Sequence, residues 1–257
     1  MRGSIIAVIL GAALALGPAA AKAAETLTFK ADFWCPYNCT PGKKPEGYLL
    51  DILRAVYEPK GYTVTYELMP YQDAIEAARK GEITGVLGAA RKDAPDLLLT
   101  RDSEGYTTYA FATAKGSGFK YAGPDSLKGK RFGAIQDYTY DDRIDAYIAA
   151  NKGTPAITLV SGDTATKDLI TQLAERKLDV IIEGDAVLEY SINLIGMGNL
   201  FDLSVASEGA PVYVALSPKH PKAQELLAML ETGVEELRKS GKLAEILKAY
   251  GLKDWKK

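Results

Sequence analysis

The feature that most constrains the fold is a regular alternation of short apolar strands with amphipathic helices, which occurs twice along the chain. Extended runs rich in Val, Tyr and Thr are separated by segments whose apolar residues recur at helical spacing. Because strands that alternate with helices form largely parallel sheets covered on both faces, the pattern predicts an α/β fold. The strands and helices predicted for the first unit are 27–31, 47–57, 63–68, 71–80 and 85–88.

A second unit with the same order of elements follows the flexible stretch KGSG at 115–118. Because this unit carries its own strands and helices, the chain is predicted to form two similar lobes rather than one larger sheet. Each lobe is a mostly parallel sheet flanked by helices. The elements predicted for the second unit are 131–135, 140–151, 156–160, 168–176, 180–182 and 186–195.

Two further extended runs, 106–114 and 211–216, lie at the ends of the second unit, and two amphipathic helices at 223–239 and 243–250 complete the chain. We expect the chain to leave the first lobe along one run and to return along the other, so that two crossing strands form a hinge. Ligands of such folds bind at the carboxyl ends of strands, in the crevice between lobes. The predicted limits are 24–110 with 211–257 for lobe one, and 111–210 for lobe two.

The N-terminal residues 1–23 have the order of charge, apolar core and cleavage site that is typical of a secretory signal peptide. Arg2 precedes the apolar run 5–16, and Ala21-Lys22-Ala23 fits the small-x-small cleavage rule. The apolar run is too short to span a membrane as a helix. This segment predicts an exported, periplasmic protein whose mature chain begins near Ala24.

Composition argues against several classes of function. Without residues 1–23 the chain has 29 basic and 33 acidic residues and no basic stripe, so nucleic acid is a poor partner. The only histidine, His220, lies in the loop SPKHPKA, and a Ser-His-Asp triad would have to use it. No Gly-rich phosphate loop is present. We therefore predict no cofactor, no metal and no catalytic residue, in a monomeric protein.

The only two cysteines, Cys35 and Cys39, lie four residues apart in the stretch FWCPYNCTP. An even pair in an oxidising compartment favours a disulfide, with free thiols as the alternative. A redox centre usually has a two-residue spacer, and a zinc site needs about four ligands, which this chain does not offer. The disulfide would restrict the turn that carries Trp34 and Tyr37.

Five segments in order resemble the family 3 extracellular solute-binding proteins, the receptors of ABC importers for polar amino acids. The resemblance covers essentially all of the mature chain and implies the type II periplasmic-binding-protein fold. It also implies a clamp that closes on a small ligand and is recognised by an ABC-type permease or a membrane sensor. The segments are 47–62, GYLLDILRAVYEPKGY; 70–88, PYQDAIEAARKGEITGVLG; 126–135, SLKGKRFGAI; 169–182, LITQLAERKLDVII; and 210–251.

The resemblance implies a ligand site at the strand ends of both lobes. Trp34 and Tyr71 follow the first two strands of lobe one and would be aromatic walls, with ordinary core or rim packing as the alternative. For Asp137 and Asp185, the alternative is a helix cap. The predicted ligand-binding residues are Trp34, Tyr37, Tyr71, Arg91, Asp137, Tyr138, Thr139, Glu183 and Asp185.

The chain departs from the family pattern at three places that bind an amino acid. Asp96 occupies the position of the carboxylate-binding Arg, and Arg91 lies five residues earlier. Gly184 occupies the position of the ammonium-binding Asp, which leaves Glu183 as the better cleft candidate. The stretch 136–140, QDYTY, replaces the family's Gly-Thr-Thr turn, which offers backbone N–H groups to a carboxylate.

These departures leave the ligand open between an amino acid, an amine and another polar solute. Acidic and aromatic residues would suit a cationic or hydroxylated ligand, and Arg91 keeps a carboxylate ligand possible. Two other functions are considered. The first is an enzyme similar to cyclohexadienyl dehydratase, on the same scaffold, with Glu183 as general acid. The second is a thiol–disulfide protein that uses Cys35 and Cys39.

Overall fold

Two five-stranded sheets organise the part of the chain that the computed structural model describes, residues 24–206 and 208–256. The predicted signal peptide, 1–23, lies outside the described residues. In the described part, none of the helices combines the length and the apolar character that a membrane-spanning segment needs. The strands in chain order are β1 (Glu25–Ala31), β2 (Tyr62–Leu68), β3 (Gly85–Ala89), β4 (Gly105–Thr107), β5 (Tyr109–Ala114), β6 (Phe132–Ile135), β7 (Ile157–Val160), β8 (Val180–Gly184), β9 (Phe201–Val205) and β10 (Ala210–Leu216).

Helices cover the faces of both sheets, as the alternating pattern predicts. Short 3-10 turns at Glu58–Lys60 and Pro124–Leu127 add to them. The α-helices in chain order are α1 (Tyr48–Tyr57), α2 (Tyr71–Lys80), α3 (Asp142–Asn151), α4 (Ala165–Ala174), α5 (Asp185–Leu194), α6 (Ala223–Lys239) and α7 (Lys242–Lys248).

The first sheet has the strand order β2-β1-β3-β10-β4, in which β1 pairs in parallel with β2 and β3, and β10 runs antiparallel to β3 and β4. Helices α1, α2, α6 and α7 pack against it or against one another, and we call this unit lobe one. Helix α1 buries Leu49, Leu50, Ile52 and Leu53, which is the apolar face that its sequence spacing predicts.

The second sheet has the strand order β7-β6-β8-β5-β9, with β6 parallel to β7 and β8, and β5 antiparallel to β8 and β9. Helices α4 and α5 pack on this sheet, and α3 packs on the 3-10 turn at Pro124–Leu127; we call this unit lobe two. The predicted architecture of two helix-flanked sheets is therefore confirmed. Each sheet is mixed rather than mostly parallel, with two parallel and two antiparallel strand pairings.

Two short connections carry the chain between the sheets, and they lie side by side. Thr108 alone separates β4 from β5, and residues 206–209 separate β9 from β10. Strands β4 and β10 pair with each other next to these connections, with Ala210 opposite Thr107. The extended run predicted at 106–114 is thus two strands, one in each sheet. Strand β9, an edge strand of the second sheet, was not predicted from the sequence, although FDLSV has the alternation of apolar and polar residues that is typical of a strand.

Candidate functional site

A tight turn at the carboxyl end of β1, residues 34–39, forms one wall of the crevice between the lobes. The backbone N–H of Trp34 donates to the carbonyl of Asn38 at 2.9 Å, and the Trp34 carbonyl accepts from Tyr37 and Asn38 at 2.9 and 3.1 Å. Cys35 and Cys39 are joined by a disulfide, with their Cα atoms 4.5 Å apart. The predicted disulfide is therefore present in the structure.

Helix α1 holds this turn from behind. The first N–H groups of the helix, on Tyr48 and Leu49, donate to the carbonyls of Pro36 and Tyr37 at 3.0 and 3.1 Å. Gly47, with φ of 111°, lies so close that a Cβ atom there would be 2.4 Å from the Tyr37 carbonyl oxygen. The turn thus satisfies N–H groups that the helix itself leaves without partners.

Trp34 is the side chain that the turn presents to the crevice. It is only 7% exposed and its ring stacks on Tyr37, with the ring centres 3.9 Å apart. A Cβ atom on Gly88 of β3, where φ is 77°, would lie 3.2 Å from the Trp34 ring, so the indole lies directly on the backbone there. Its Nε1–H donates to the Glu183 carboxylate at 3.1 Å, and this bond crosses from lobe one to lobe two.

Glu183, near the end of β8, is fully buried beneath Trp34. Its carboxylate also accepts from the backbone N–H of Gly184 at 2.6 Å and from the Thr166 hydroxyl at 3.4 Å. Burial raises the pKa of Glu183 to about 7, and the negative charge of Asp32 adds to this, while the three donors oppose it. The acid therefore titrates near neutral pH in this conformation.

Asp32, directly after β1, makes a second hydrogen bond across the crevice, in which the Tyr138 hydroxyl donates to its carboxylate. The Asn38 side-chain amide donates to the Asp32 carbonyl at 2.6 Å and ties the turn to the strand end. Burial raises the pKa of Asp32 to about 6, against the effect of the Tyr138 hydrogen bond, and Asp163 adds to the rise.

Asp93, in the loop after β3, makes a third contact of this kind. Its carboxylate accepts from the Tyr71 hydroxyl at 3.1 Å and from the Thr139 hydroxyl at 3.1 and 3.2 Å to its two oxygens. Tyr71 belongs to lobe one and Thr139 to lobe two. The Tyr71 ring also meets Tyr138 edge-on, with the ring centres 6.2 Å apart.

These contacts surround a small inner cavity of about 40 Å³ between the lobes. It is lined by two aspartates, a tryptophan, three tyrosines, a threonine and three apolar or small residues, namely Asp32, Trp34, Tyr71, Leu87, Gly88, Ala90, Asp93, Tyr109, Tyr138 and Thr139. A larger outer cavity of about 380 Å³ lies at the mouth of the crevice. The two cavities share Asp32, Tyr71 and Tyr138, so these side chains form the boundary between them.

The two cavities are acidic. The outer one adds Asp73, Asp137 and Asp163 to the shared Asp32. Among the described residues, no Lys, Arg or His lines either cavity. Nor do three or more His, Cys, Asp or Glu side chains in residues 24–206 and 208–256 come together in a way that could hold a metal ion.

Several of the predicted site residues meet around the cavities. Trp34, Tyr71, Tyr138 and Thr139 line the inner cavity, and Asp137, with φ of 63°, is exposed at the outer one. Glu183 and Tyr37 line neither cavity; both lie behind Trp34. The Tyr37 hydroxyl donates to the Tyr106 carbonyl at 2.8 Å.

The structure places other predicted residues away from the cavities. Arg91 is exposed, with its guanidinium 4.8 Å from the centre of the Tyr213 ring and donating to the Thr100 carbonyl at 3.2 Å. Asp96 is also exposed and forms a salt bridge with Arg79. Asp185 begins α5, where its carboxylate accepts from the N–H of Ala186 at 2.7 Å.

Sequence reasoning missed six residues that line the inner cavity, and three of them, Asp32, Asp93 and Tyr109, have polar side chains. Asp32 directly precedes Phe33 and Trp34 at a strand end, which is the position where ligand-contacting side chains are expected. Asp93 lies in the loop in which only the Arg position was considered. Tyr109 begins a strand whose other residues are all buried, and nothing local distinguishes it.

Comparison with known proteins agrees with the fold of two lobes. The model of the bacterial extracellular solute-binding proteins, family 3, matches residues 30–253. No curated protein gives a significant match to the chain.

Three solved structures share the fold at low sequence identity. A histidine kinase sensor domain similar to periplasmic binding proteins has a TM-score of 0.72 and 20% identity, covering 89% of this chain and 96% of that one. An ABC uptake transporter substrate-binding protein from Streptococcus pneumoniae with bound histidine has a TM-score of 0.69 and 17% identity, covering 88% and 92%. An ancestral amino-acid-binding protein, a precursor of cyclohexadienyl dehydratase, has a TM-score of 0.67 and 16% identity, covering 88% and 95%.

Proposed function

Since the chain belongs to the bacterial extracellular solute-binding proteins of family 3, we propose that it is a receptor that captures a small polar ligand between its lobes. The closed form is then recognised by an ABC-type permease or by a membrane sensor. In this proposal the protein is exported by its N-terminal segment to the periplasm and acts as a monomer. Binding is its function, and no chemical conversion of the ligand is required.

The observation that carries this proposal is the inner cavity, which residues of both lobes enclose together. Three hydrogen-bonded contacts join the lobes around it: Trp34 with Glu183, Tyr138 with Asp32, and Thr139 with Asp93. A ligand in this cavity touches both lobes and therefore favours the closed over the open arrangement by its extra contacts.

The two connections between the sheets support a hinge. The sequence places the lobe limits at 110/111 and 210/211, but Tyr109 and Ala110 pair in the second sheet and Ala210 pairs in the first. We propose that the lobes divide, and that rotation occurs, at Thr108 and between β9 and β10. These connections are short and adjacent, so few backbone angles need to change when the lobes separate.

The burial of Glu183 favours binding over the dehydratase-like alternative. A general acid must come within hydrogen-bond reach of the group to which it gives a proton. Here the Trp34 indole covers the carboxylate, whose oxygens accept from three protein donors. A substrate in the inner cavity meets the face of Trp34 rather than the acid.

The test is a screen of amino acids, amines, sugars and aromatic acids by thermal unfolding, followed by small-angle X-ray scattering with each hit. We expect at least one class to raise the melting temperature, because a ligand at 100 times its Kd stabilises a protein by about 2.7 kcal/mol. The same ligand should reduce the radius of gyration as the lobes close. A ligand that saturates the protein without changing its scattering would contradict the clamp, and turnover of a hit would support the enzyme instead.

A further inference from the structure

We propose that the ligand is a small organic cation, with an ammonium or guanidinium head group and no carboxylate beside it. This inference rests on the proposed function and names the chemical class that its cleft accepts. Such a ligand differs from the zwitterionic amino acids that the family's usual binding pattern implies.

The first support is the uncompensated acidity of the cleft. Asp32, Asp93 and Glu183 come together at and behind the inner cavity. Among the described residues, the donors to these three carboxylates are neutral, namely hydroxyl, indole and amide groups. The Arg79 guanidinium reaches only the backbone carbonyl of Asp93, at 3.3 Å, while it pairs with Asp96 and Glu76. Glu183 is fully buried, and Asp32 and Asp93 are half-buried. Carboxylates that are withdrawn from water are usually paired with a cation, since neutral donors replace the lost hydration only in part. A cationic head group in the cavity supplies the charge that the lining side chains do not.

The second support is the position of the two basic residues that precede Asp93 in the sequence. Arg91 and Lys92 directly precede Asp93, yet both are exposed. Arg91 lies over Tyr213, and Lys92 is 3.7 Å from Asp145. A ligand carboxylate in the inner cavity would therefore face Asp32 and Asp93 without a basic partner, which is electrostatically unfavourable.

The third support is the aromatic lining. The rings of Trp34, Tyr71, Tyr109 and Tyr138 line a single cavity with the two aspartates. Aromatic faces attract cations within about 6 Å of the ring centre, and several such rings together form the cages that hold alkylated ammonium groups. Rings and carboxylates in the same cavity favour a cation that also carries hydrocarbon.

The size of the two cavities limits the shape of the ligand. The inner cavity of about 40 Å³ has room for roughly three water molecules, which is comparable to a small ammonium or guanidinium head group. The outer cavity of about 380 Å³ adjoins it at Asp32, Tyr71 and Tyr138. We infer that the head group enters the inner cavity and that the remaining chain extends into the acidic outer one.

The test uses three pairs of compounds that differ at a carboxylate: agmatine with L-arginine, putrescine with L-ornithine, and choline with glycine betaine. Isothermal titration calorimetry on the full mature protein gives a Kd for each. We expect the cation of at least one pair to bind at least tenfold more tightly than its carboxylate-bearing partner. Equal or tighter binding of the partners in all three pairs would overturn the inference.

The broader screen separates this inference from the proposed function. If an amino acid, a sugar or an aromatic acid binds and closes the lobes while every cation fails, the receptor function stands and the cationic ligand is wrong. If no compound of any class binds, both proposals fail together. Binding of a cation without closure would contradict the clamp alone.

A matched pair of variants tests the role of the carboxylates. Asp93→Asn keeps the shape of the side chain and removes its charge. It should weaken binding of the tightest-binding cation about 30-fold or more, because the cation loses a charged partner in a half-buried site. The control is Asp96→Asn, three residues along the same loop, whose exposed side chain pairs with Arg79 outside both cavities. It should bind the cation as the wild type does. Equal affinities in both variants would overturn the inference.

Discussion

The two walls of the crevice are built in different ways. In lobe one, the turn at 34–39 is held by its own backbone hydrogen bonds, by a disulfide and by the first turn of α1. In lobe two, the side chains of Tyr138 and Thr139 face the inner cavity. Their hydroxyl groups donate to the carboxylates of Asp32 and Asp93, which belong to lobe one. The backbone of the first wall is therefore held within its own lobe, and only the Trp34 Nε1–H bonds to the other lobe, at Glu183. The two hydroxyl groups of the second wall gain their partners only when the lobes close.

This difference suggests a division of labour. A rigid aromatic wall can bind a ligand first, since its side chains lose little freedom on binding. The wall of lobe two then exchanges water for hydrogen bonds to Asp32 and Asp93 as the lobes meet. Selectivity for the ligand is therefore expected mainly from lobe one, and the energy of closure from the contacts of lobe two.

The largest expected effect comes from removing the rigid wall. Trp34→Ala deletes the ring that stacks on Tyr37 and covers Glu183, and should weaken ligand binding by about 3 kcal/mol or more, together with a loss of stability of about 3–5 kcal/mol. Calorimetry and urea unfolding measure the two effects. Trp255→Ala is the control, because Trp255 lies outside both cavities; it should lower stability and leave affinity unchanged.

A gentler variant keeps the ring if the alanine variant does not fold. Trp34→Phe retains an aromatic wall but removes the Nε1–H donor of Glu183. Binding should fall by about 1–3 kcal/mol, the usual effect of leaving a buried acceptor short of a donor. Unchanged affinity in both Trp34 variants would show that the rigid wall does not contact the ligand.

The second effect is a dependence of lobe closure on pH. Burial in the closed form raises the pKa of Glu183 to about 7 and that of Asp32 to about 6, so both bind protons more tightly when the lobes are closed than when they are exposed. Protons therefore favour closure. For Glu183 this contribution is about 3 kcal/mol, present in full below pH 4.5 and lost as pH rises through about 7. The other titratable groups near Glu183 are Asp32, Tyr37, Tyr109, Tyr138 and Tyr140.

Small-angle scattering without added ligand between pH 5 and pH 8 measures this dependence. The radius of gyration should increase with pH in the wild type, and Glu183→Gln should remove most of the change. Glu104→Gln is a matched control, because Glu104 is also a buried acid whose pKa burial raises to about 7, but it accepts from Thr100 and Val214 within lobe one. A radius that falls as pH rises would contradict the assignment.

A third effect weakens the rigid wall without removing its ring. Cys35→Ser opens the disulfide and should lower the free energy of unfolding by about 2 kcal/mol, which is the loop-entropy value for so short a ring. Affinity should fall as well, because the Trp34 turn must then be ordered by the ligand. Urea unfolding of the wild type with and without reductant is the control. Equal urea midpoints for the oxidised wild type and the variant would show that the disulfide does not stabilise the turn.

The smallest effect concerns the wall of lobe two. Asp137 is exposed at the outer cavity in a left-handed backbone conformation that Asn also tolerates, so Asp137→Asn should leave the fold intact. Because exposed charges are screened, cation affinity should change by no more than about threefold, and less at high salt. A loss as large as that of Asp93→Asn would show that the second wall selects the ligand, contrary to the proposed division.

The alternation of strands and helices was enough to predict the two-sheet fold, because each element carries its own apolar period, as α1 does. Trp34 and Tyr71 were found as wall candidates because they directly follow strands. The crossing between sheets at Thr108 was not predicted, since YTTYAFATA is uniformly extended and its break depends on which partner strand each half finds.

The charges of the site were harder to predict than its aromatic rings. Arg91 and Asp93 are two residues apart, yet one lies over Tyr213 and the other lines the inner cavity. Loop geometry alone separates them, and no sequence period describes a loop. Glu183 was predicted to be an acid in the cleft. The indole that covers it belongs to the other lobe, and because 149 residues separate the two in sequence, no local pattern indicates this contact.

The contact between Trp34 and Glu183 also gives the molecule an optical signal of its own. The chain has two tryptophans, and Trp255 lies at the far end of the sequence with its Nε1–H bonded to the Ser103 carbonyl within lobe one. Separation of the lobes exposes the Trp34 indole to water and removes its carboxylate partner, whereas the Trp255 Nε1–H keeps its partner within lobe one. Intrinsic fluorescence, with Trp255→Phe as background, should therefore report lobe closure in real time without an attached dye.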